Sequence, residues 1–453
     1  MQALYKALHK NPIVFVARDL ERAFGLAGAP RFHIITNATP FAKTAASNLP
    51  NIHLIVNKSL LSTLDLLGHK TTQSILVKLK QPKILVFKNT TQIEKICRAH
   101  NWTLLNPPAE LANQVEEKIS QIKWLGPLTK YLPPHKIVLG KGLSWPLVIP
   151  AKAGIRTVGS PIRSGMTSKK FIAQFNRAHT GSGTALIKSK KQTREIANQF
   201  PNRPIRVTKY ISGPAFTVNA VVWGPPTGEA SKNVLTGNIS YQITGLPPFT
   251  SSQFATIGND WKLPNKLLTT KQTNQIKKIA TAVGKKLAKH NWRGLFGIDV
   301  MLETKTGKIY LIEINARQPA STTYESQLQQ LVISTEPAGR ANDKLITTFE
   351  AHLAAVLGLP YKNQKIIPIK NGSQIIMRVP ENVGSRSPKA TWILPRQKAL
   401  VKKLEPNKFN VVYYNNTKPG EDWLRIQARA GIMQTPGVFS ALGKIITKII
   451  KAQ

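Results

Sequence analysis

The chain has 453 residues, 42% of them hydrophobic and 19% charged, which excludes a disordered chain and is enough for several domains. Its single cysteine, Cys97, excludes an internal disulfide and a cysteine-based zinc site. No apolar run has the roughly 18 residues of a membrane span, and none has the pattern of a signal peptide. The 64 Lys and Arg against 21 Asp and Glu give a net charge of +43, which favours anionic partners.

Residues 11–106 alternate short apolar runs with helical patterns. The predicted strands are PIVFVA, RFHIIT, IHLIV, KILVF and WTLLN, and the predicted helices are ERAFGLAG, SLLSTLDLLGH and TQIEKICRAH. This alternation predicts an α/β layer with a mainly parallel sheet. No GxGxxG motif follows the first strand, so dinucleotide binding is unsupported. Cys97 lies in the last of these helices and is predicted to be a buried core thiol.

A helix is predicted from Ala109 to Leu125, after the turn at residues 106–108. It carries the pair Glu117-Lys118, for which a solvated helix face is one interpretation. A Pro- and Gly-rich passage at residues 133–165 follows without an assigned structure.

Residues 171–184 predict a strand, a glycine-containing loop and the start of a second strand. The apolar run FIAQF enters a loop that contains Gly181, Ser182, Gly183 and Thr184, and ALIKS follows. Glycines let backbone N–H groups converge on phosphate oxygens, and hydroxyls add further donors. Because many hairpin turns have a similar sequence, this loop alone does not decide between a phosphate site and an ordinary turn.

Three further elements are predicted before residue 291. The run RVTKYISGPAFTVNAVVW, residues 206–223, predicts a strand, a glycine turn and an apolar strand. Residues 235–261 contain Pro-Pro, paired serines and a Gly-Asn-Asp-Trp run, which predict a loop. The apolar residues of Lys271–His290 recur at helical spacing, which predicts a structural helix with a lysine-rich outer face.

The most informative segment is Leu295–Ser321, where two apolar-alternating runs flank a polar turn and predict a β-hairpin. Glu313, Asn315 and Arg317 are spaced two apart, so they share one face of the strand. Folding the hairpin about Thr306 places Asp299 directly opposite Glu313.

Two facing carboxylates repel each other, and a bound divalent cation would remove that cost. Asp299, Glu313 and the amide oxygen of Asn315 are hard oxygen ligands suited to Mg²⁺ (or Mn²⁺), which usually shares its shell with substrate phosphates. Arg317 can hold a phosphate oxygen by paired hydrogen bonds. The alternative interpretation is an ordinary exposed hairpin with charged side chains.

The chain after the hairpin predicts a helix, a β-rich region and a terminal helix. TTFEAHLAAVLGLP predicts a helix that ends near Gly358. Residues 368–435 alternate strand-like runs with turns and predict a small β-rich C-terminal domain. The last run, VFSALGKIITKIIKA, predicts a basic amphipathic helix that packs on the protein or, alternatively, contacts a membrane surface.

The hairpin resembles the metal-binding hairpin of the ATP-grasp superfamily, among carboxylate-amine ligase-like and biotin carboxylase-like members. In that family an acid stands on the first strand, a Glu-x-Asn pair on the second, and an Arg two residues later. Asp299, Glu313, Asn315 and Arg317 match position by position, although many members carry Glu where Asp299 stands. The resemblance implies that the first three bind the metal and that Arg317 is catalytic.

The resemblance also implies an ATP site upstream of the hairpin. The residues assigned to ATP are Gln174, Gly181, Ser182, Gly183, Thr184, Lys188, Lys209, Tyr210 and Ile211. The glycine loop would cover the phosphates, and residues 209–211 would form a hinge whose backbone recognises adenine. Family members often carry an acid-Lys pair at the place of Glu117-Lys118, with the Lys reaching the nucleotide.

One residue of the implied ATP site departs from the family. Gln174 stands where a Lys usually contacts the phosphates, which leaves the triphosphate one positive charge short. The candidates to compensate are Lys152, Arg177 and Lys188. The acceptor side of the cleft is implied near residues 235–261, and the candidate substrate contacts there are Gln253, Asn259 and Asp260.

The resemblance implies an α/β and α+β multidomain chain with the ATP-grasp fold. A Rossmann-like pre-ATP-grasp domain is expected over residues 1–108, the ATP-grasp lobes over 109–362, and the β-rich C-terminal region with its terminal helix over 363–453. The implied activity is Mg²⁺-dependent ligation of a small-molecule carboxylate to an amine, such as an amino acid or peptide-like substrate, through an acyl phosphate made from ATP.

Two other functions are retained as alternatives. A non-catalytic nucleotide sensor is favoured by Gln174, and a nucleic-acid-binding protein is favoured by the charge of +43. A basic bias shared by the source organism's proteins would explain the same charge without any partner. We expect a cytoplasmic protein and leave its oligomeric state open.

Overall fold

The structure is a computed structural model that describes residues 2–80, 82–150, 165–168, 170–176, 183–224, 233–335, 344–379, 390–404 and 409–452. Two residues of the predicted glycine loop, Gly181 and Ser182, lie outside these ranges, as do the candidate compensating cations Lys152 and Arg177. Within the described ranges, no helix is long and apolar enough to cross a membrane.

The first hundred residues form a four-stranded parallel sheet covered by helices, as predicted. The helices are α1 (Gln2–Lys10), α2 (Pro40–Ala46), α3 (Thr63–Gly68), α4 (Lys70–Lys78) and α5 (Thr91–Ala99), with a 3₁₀ helix at Leu20–Leu26. The strands are β1 (Ile13–Val16), β2 (Phe32–Asn37), β3 (Ile52–Ile55) and β4 (Lys83–Val86), in the order β3-β2-β1-β4. Strand β1 is buried along its whole length, which is why it lacks polar alternation.

Capping residues mark where three of these helices begin, and Cys97 occupies the predicted core position. Helices α2, α3 and α5 follow Thr39, Ser62 and Thr90, whose hydroxyls accept hydrogen bonds from backbone N–H groups of the first turn. Cys97 of α5 lies in the core beneath the sheet, as predicted, and burial raises the pKa of its thiol to about 11.

The strand predicted at WTLLN is wrong. Leu104 makes only an isolated bridge to Ile84. Next to it, the Asn106 side chain accepts a hydrogen bond from the Val86 N–H at 2.8 Å and donates to the Val86 carbonyl at 2.7 Å. An amide side chain therefore satisfies the backbone groups of β4 that a fifth strand would have paired.

The single helix predicted from Ala109 to Leu125 is also wrong. It is divided into α6 (Ala109–Glu116) and α7 (Ser120–Leu125). Between them, the Lys118 N–H donates to the Asn176 carbonyl at 3.1 Å, and the Ile119 N–H donates to Asn176 Oδ1 at 2.9 Å. These long-range bonds replace helical ones and fix the orientation of Lys118.

A second, antiparallel sheet follows. Its region contains β5 (His135–Leu139), β6 (Leu147–Pro150), β7 (Gly165–Ser168), β8 (Phe171–Phe175), β9 (Thr184–Ile187), α8 (Lys190–Gln199) and β10 (Pro204–Lys209), with 3₁₀ helices at Gly126–Tyr131 and Gly140–Gly142. The sheet order is β5-β10-β8-β9, and β6 pairs with β7 separately. Strands β8 and β9 form the predicted strand–loop–strand unit, with Gln174 opposite Thr184.

An eight-stranded antiparallel sheet forms the largest layer. The strands of the remaining chain are β11 (Ala215–Val222), β12 (Val234–Thr244), β13 (Thr256–Asp260), β14 (Gly294–Leu302), β15 (Ile309–Asn315), β16 (Leu345–Ile346), β17 (Lys365–Ile366), β18 (Ser373–Arg378), β19 (Asn410–Tyr413), β20 (Asp422–Ala428), β21 (Met433–Thr435) and β22 (Val438–Phe439). The sheet order is β15-β14-β11-β12-β13-β18-β20-β19. The short pairs β16–β17 and β21–β22 lie outside it.

The helices of this part pack on the large sheet or on its edges. They are α9 (Pro264–Leu267), α10 (Thr270–Lys289), α11 (Thr322–Thr335), α12 (Thr348–Val356), α13 (Ala390–Leu404) and α14 (Ala441–Lys451). Helix α10 is the predicted structural helix, and it begins with a capping box between Thr269 and Gln272. Ile446 and Ile450 of α14 lie in the main core, so the terminal helix packs on the protein.

Two predictions about the later chain need correction or refinement. Residues 235–261 are not one loop, because β12 and β13 occupy both ends of the segment and pair with each other. The β-rich C-terminal strands exist, and β18 pairs with β13, so they continue the large sheet. The domain boundaries at 108/109 and 362/363 stay predictions.

Buried histidines give the fold a specific response to acid. His352 is buried beneath the large sheet and accepts a hydrogen bond from the Leu295 N–H at 3.1 Å, and burial lowers its pKa to about 3. Burial likewise lowers the pKa of His33 and His135 to about 4. In the unfolded chain these histidines take up protons near pH 6.5, whereas in the folded protein they stay neutral to a lower pH. Their contribution to the free energy of unfolding is therefore fully present above pH 6.5 and is lost as the pH falls.

We therefore expect His352 alone to remove about 1.4 kcal/mol per pH unit below pH 6.5. The variant His352→Asn keeps an acceptor for the Leu295 N–H but has no titrating ring, so its urea-unfolding free energy should fall less between pH 7 and pH 5 than that of the wild type. Equal pH slopes for the two proteins would contradict this account.

Candidate active site

A cavity of about 620 Å³ opens between the two antiparallel sheets. One wall comes from β8, β9 and β10, and the other from the large sheet, including the hairpin β14–β15. This volume is typical of sites that hold a small molecule. Most of the residues predicted to bind ATP, metal or substrate border this one cavity: Gln174, Thr184, Lys209, Tyr210, Ile211, Gln253, Asn259, Asp299, Glu313, Asn315 and Arg317.

The hairpin pairs Asp299 with Glu313, as the sequence predicts. Near the turn the pairing differs by one residue from the pairing at Asp299, since Leu302 pairs with Ile309. A β-bulge between Asp299 and Val300 accommodates the extra residue of β15. Without the bulge, continuation of the turn register would place Ile312 opposite Asp299 and send the two acids to opposite faces. The bulge therefore brings the carboxylates together.

Asp299 is half-buried and is held by two hydrogen-bond donors. The Thr217 hydroxyl donates to Oδ1 at 2.7 Å, and the Asn315 amide donates to Oδ2 at 3.1 Å. Burial and the neighbouring charge of Glu313 raise the pKa of Asp299 to about 6. Among the described residues, no group of three or more His, Cys, Asp or Glu side chains could hold a metal. The donor set of two carboxylates and one amide oxygen still fits a hard cation that takes its other ligands from phosphates.

Lys118 is part of the cavity wall rather than of a solvated helix face. Its ammonium lies 2.7 Å from Glu313 Oε1, and its side chain is only 6% exposed. The bonds from Asn176 to the segment between α6 and α7 hold it in this position. The sequence leaves the role of Lys118 open, and the structure brings it to the hairpin.

Arg317 is fixed by an acid that the sequence does not single out. Glu116, at the end of α6, forms an ion pair with Arg317 Nη1 and another with Lys88 Nζ at 2.8 Å. Glu116 is buried, so this pairing restricts the Arg317 side chain to the cavity edge. A buried charge that is paired in this way is expensive to leave unpaired.

The β8–β9 unit brings Gln174 and Thr184 side by side. Gln174 Nε2 donates to Thr184 Oγ1 at 3.4 Å, and both residues border the cavity. The prediction that Lys188 contacts ATP needs correction. Lys188 is exposed outside the cavity, where its N–H donates to Gln192 Oε1 at the start of α8.

The predicted hinge borders the cavity at the end of β10. Lys209 Nζ lies 2.6 Å from Glu303 Oε1 in the hairpin turn, and this hydrogen bond lowers the pKa of Glu303. The Lys209 side chain is thereby directed to the turn, while its backbone stays at the cavity. Gly213 follows with φ of 151°, and a Cβ there would lie 1.9 Å from the Leu302 carbonyl, so the close approach of hinge and hairpin requires glycine.

The predicted substrate contacts separate into two groups. Gln253 and Asn259 border the cavity, and Asn259 accepts a hydrogen bond from Gln374 at 3.2 Å. Asp260 is fully buried outside it and accepts hydrogen bonds from the N–H groups of Lys262, Leu263 and Met433 at 2.8, 2.9 and 2.9 Å. The prediction that Asp260 contacts substrate therefore needs correction, because its oxygens stabilise a turn.

Residues 156–321 match the sequence model of a family described as the ATP-grasp domain. The chain contains an ATP-grasp domain. The hairpin with Asp299 and Glu313 lies at the end of the matched region, and the cavity wall from β8 to β10 lies within it. No curated protein matches the chain.

Solved structures share the fold of this chain over nearly its whole length. N5-carboxyaminoimidazole synthase from Aspergillus clavatus, in complex with ADP and 5-aminoimidazole ribonucleotide, is 14% identical, with a TM-score of 0.58 and 98% of both chains covered. N5-carboxyaminoimidazole synthetase from Staphylococcus aureus is 11% identical, with a TM-score of 0.56 and 97% of both chains covered. L-amino acid ligase from Bacillus licheniformis is 13% identical, with a TM-score of 0.55 and 97% of both chains covered. At these identities the likeness shows the fold alone.

The ATP-grasp cavity also collects charged residues that the sequence patterns do not indicate. Arg378 Nη1 lies 3.0 Å from Asp422 Oδ1, and Arg22 Nη2 lies 3.6 Å from Asp422 Oδ2 at the same end of the cavity. The Arg22 guanidinium also stacks on Phe87, 4.6 Å from the ring centre. These residues come from distant parts of the chain, so only the folded structure brings them together.

Proposed function

We propose that the protein is an ATP-dependent ligase that joins a carboxylate to an amine through an acyl phosphate. The observation that carries this proposal is the facing pair Asp299–Glu313 at the wall of the cavity, beside Lys118 and Arg317. Two acids and two cations at one wall suit a polyphosphate with its metal ion. The match to the ATP-grasp domain supports ATP as the nucleotide that binds there.

In this proposal Asp299, Glu313 and Asn315 hold Mg²⁺. Mg²⁺ held by these residues would supply positive charge that lowers the cost of phosphoryl transfer to the substrate carboxylate. Arg317, oriented by Glu116, would hold the transferred phosphoryl group or the carboxylate. Lys118 would contact a phosphate oxygen from its fixed position beside Glu313.

The shape of the site supports transfer to a second substrate rather than to water. At the phosphate wall of the cavity Lys118 and Arg206 are buried, and Gly183 and Thr184 would cover the nucleotide from β9. An acyl phosphate that is shielded from water survives until an amine displaces the phosphate. The Arg22–Arg378–Asp422 cluster and Gln253 also border the cavity and would hold the other substrate.

The structural neighbours support a small amine-bearing or carboxylate-bearing substrate. One is described with ADP and 5-aminoimidazole ribonucleotide, and another is an L-amino acid ligase. An amino acid or peptide-like acceptor is therefore the first class to test, with ribonucleotide amines as the second.

The direct test is ATP-dependent phosphate release with a panel of carboxylates and amines. We expect release that requires Mg²⁺ and both members of one pair, and that is lost in Glu313→Ala. ATP binding without release for any pair would favour the alternative of a nucleotide sensor, for which Gln174 in place of a Lys is the supporting observation. Release that survives Glu313→Ala would contradict the proposed metal site.

A further inference from the structure

Arg206 is a buried cation that borders the cavity, and two of its three guanidinium nitrogens have no hydrogen-bond partner among the described residues. The residue is 1% exposed, and its Nε and Nη1 have no hydrogen-bond partner among the described residues. Burial lowers the pKa of its guanidinium to about 10, an effect that the charge of Glu313 opposes. Arg206 is therefore still a cation at neutral pH, and a buried guanidinium without hydrogen-bond acceptors destabilises a protein.

The strand geometry directs Arg206 to the cavity and not to the core. On β10 the alternate residues Ile205 and Val207 pack in the core of the second sheet, whereas Arg206 and Thr208 border the cavity. Arg206 is thus on the same face as the cavity-lining residues of the neighbouring strand β8.

The register pairs Arg206 directly with Gln174. The antiparallel ladder of β8 and β10 places the two residues opposite each other, and their side chains share the cavity face. Gln174 occupies the position where the ATP-grasp resemblance implies a Lys. The positive charge that is missing on β8 is therefore present one strand away, on β10.

We propose that Arg206 binds the nucleotide polyphosphate and supplies the positive charge that Gln174 lacks. The proposal rests on the proposed ATP site. It adds Arg206 to that site and places the phosphate-binding cation on β10 instead of on β8. A guanidinium presents several N–H donors in a plane, so it can hold two phosphate oxygens at once, and a phosphate would satisfy its unpartnered nitrogens. Lys152, Arg177 and Lys188 are then not needed to compensate for Gln174.

The first test is nucleotide affinity of Arg206→Met, measured by calorimetric titration with MgATP, ADP and adenosine. We expect MgATP and ADP to bind about 10- to 100-fold more weakly, as for loss of a charge-assisted hydrogen bond, and adenosine to bind within about two-fold of the wild type. The matched control is Arg194→Met, which removes the same charge from the exposed face of α8 and should leave all three affinities unchanged.

The second test moves the charge back to β8. The double variant Gln174→Lys with Arg206→Met should recover at least ten-fold of the lost MgATP affinity, because its lysine reaches the same phosphates from the opposite strand. Arg206→Lys, which keeps the charge, guards against a folding defect and should retain most of the affinity. Unchanged MgATP binding in Arg206→Met, an equal loss for adenosine, or no recovery in the double variant would overturn the proposal.

The outcome separates this inference from the proposed ligase activity. A wild type that binds ATP but releases no phosphate with any substrate pair would contradict the ligase proposal, while the binding data would still decide the role of Arg206. A wild type that binds no ATP would overturn both.

Discussion

Asp299→Asn is expected to slow ATP-dependent phosphate release by about 10²- to 10³-fold, the effect of removing one preorganised group that stabilises transition-state charge. The substitution keeps the shape of the side chain and its hydrogen bond from Thr217. The Asn315 amide can turn over so that its oxygen accepts from the new amide, which preserves the local packing. The loss would therefore come from the missing negative charge at the metal and from the Asn315 oxygen, which would turn away from the metal.

The same variant is expected to be more stable than the wild type without ligand. Burial and Glu313 raise the pKa of Asp299 from 3.8 to about 6, so ionising it in the folded protein costs free energy. For a carboxyl group with a raised pKa, this cost is absent below about pH 4, grows between pH 4 and 6, and is complete above pH 6. The melting temperature of Asp299→Asn should exceed that of the wild type at pH 7.5, and the difference should shrink toward pH 4.5.

Opposite effects on activity and stability distinguish a functional acid from a structural one. The measurements are phosphate release at saturating substrates and thermal melting without ligand at both pH values. Asp65→Asn, in an exposed capping box outside the cavity, serves as the matched control and should leave phosphate release unchanged. An Asp299→Asn protein that is both active and destabilised would show that Asp299 maintains the fold instead.

The facing acids could be predicted because strand alternation is a local property. A spacing of two residues fixes the shared face of Glu313, Asn315 and Arg317 in any strand. The bulge that aligns Asp299 with Glu313 could not be predicted, since an extra residue in one strand leaves no clear local signal. Folding the sequence about Thr306 nevertheless gives the observed pairing of Asp299 with Glu313, although the strands next to the turn pair in the shifted register.

Other parts of the site depend on contacts between distant segments. Glu116 pairs with Arg317 across 201 positions of sequence, and Asn176, which follows β8, holds the backbone at Lys118. Arg206 lies in the run recognised as a hinge strand, yet its significance appears only when the register sets it opposite Gln174. Lys188 follows the glycine loop closely in sequence, yet the chain turns it outward at the start of α8.

The segment 235–261 shows why turn-forming residues can mislead. Its Pro-Pro and serine pairs do form a turn at residues 245–255, but the flanking residues are β12 and β13. Their alternating pattern is interrupted by Gly237 and Gly258, where a Cβ would lie 2.7 and 2.1 Å from backbone oxygens of neighbouring strands. In these strands glycine marks close packing and not a loop.

Phe349→Ala is expected to lower the free energy of unfolding by about 3–5 kcal/mol, the usual cost of removing a fully buried phenylalanine side chain. Phe349 lies on α12 with no exposed surface, and its ring centre is 6.3 Å from that of Phe15 and 6.0 Å from that of Phe32. It also fills the space over Gly25, where a Cβ would come within 2.4 Å of its ring. The cavity left behind would lie at the centre of the N-terminal core.

The variant also tests whether the N-terminal sheet unfolds independently. Helix α12 is buried all round: Phe349 and Leu353 belong to the N-terminal core, whereas Ala351, Ala354 and Ala355 pack against the large sheet. Because one rigid helix contributes to both cores, we expect the whole urea transition to move to lower concentration, as one step by fluorescence and by circular dichroism.

The matched control is Phe349→Leu, which keeps most of the apolar volume and should cost less than about 1.5 kcal/mol. A two-step transition in Phe349→Ala, with its second step at the wild-type midpoint, would show that residues 1–108 form an independently folding domain. A single shifted transition would mean that α12 couples that part to the large sheet. The cavity, which Arg22 and the large sheet both border, would then keep its shape only while both cores are intact.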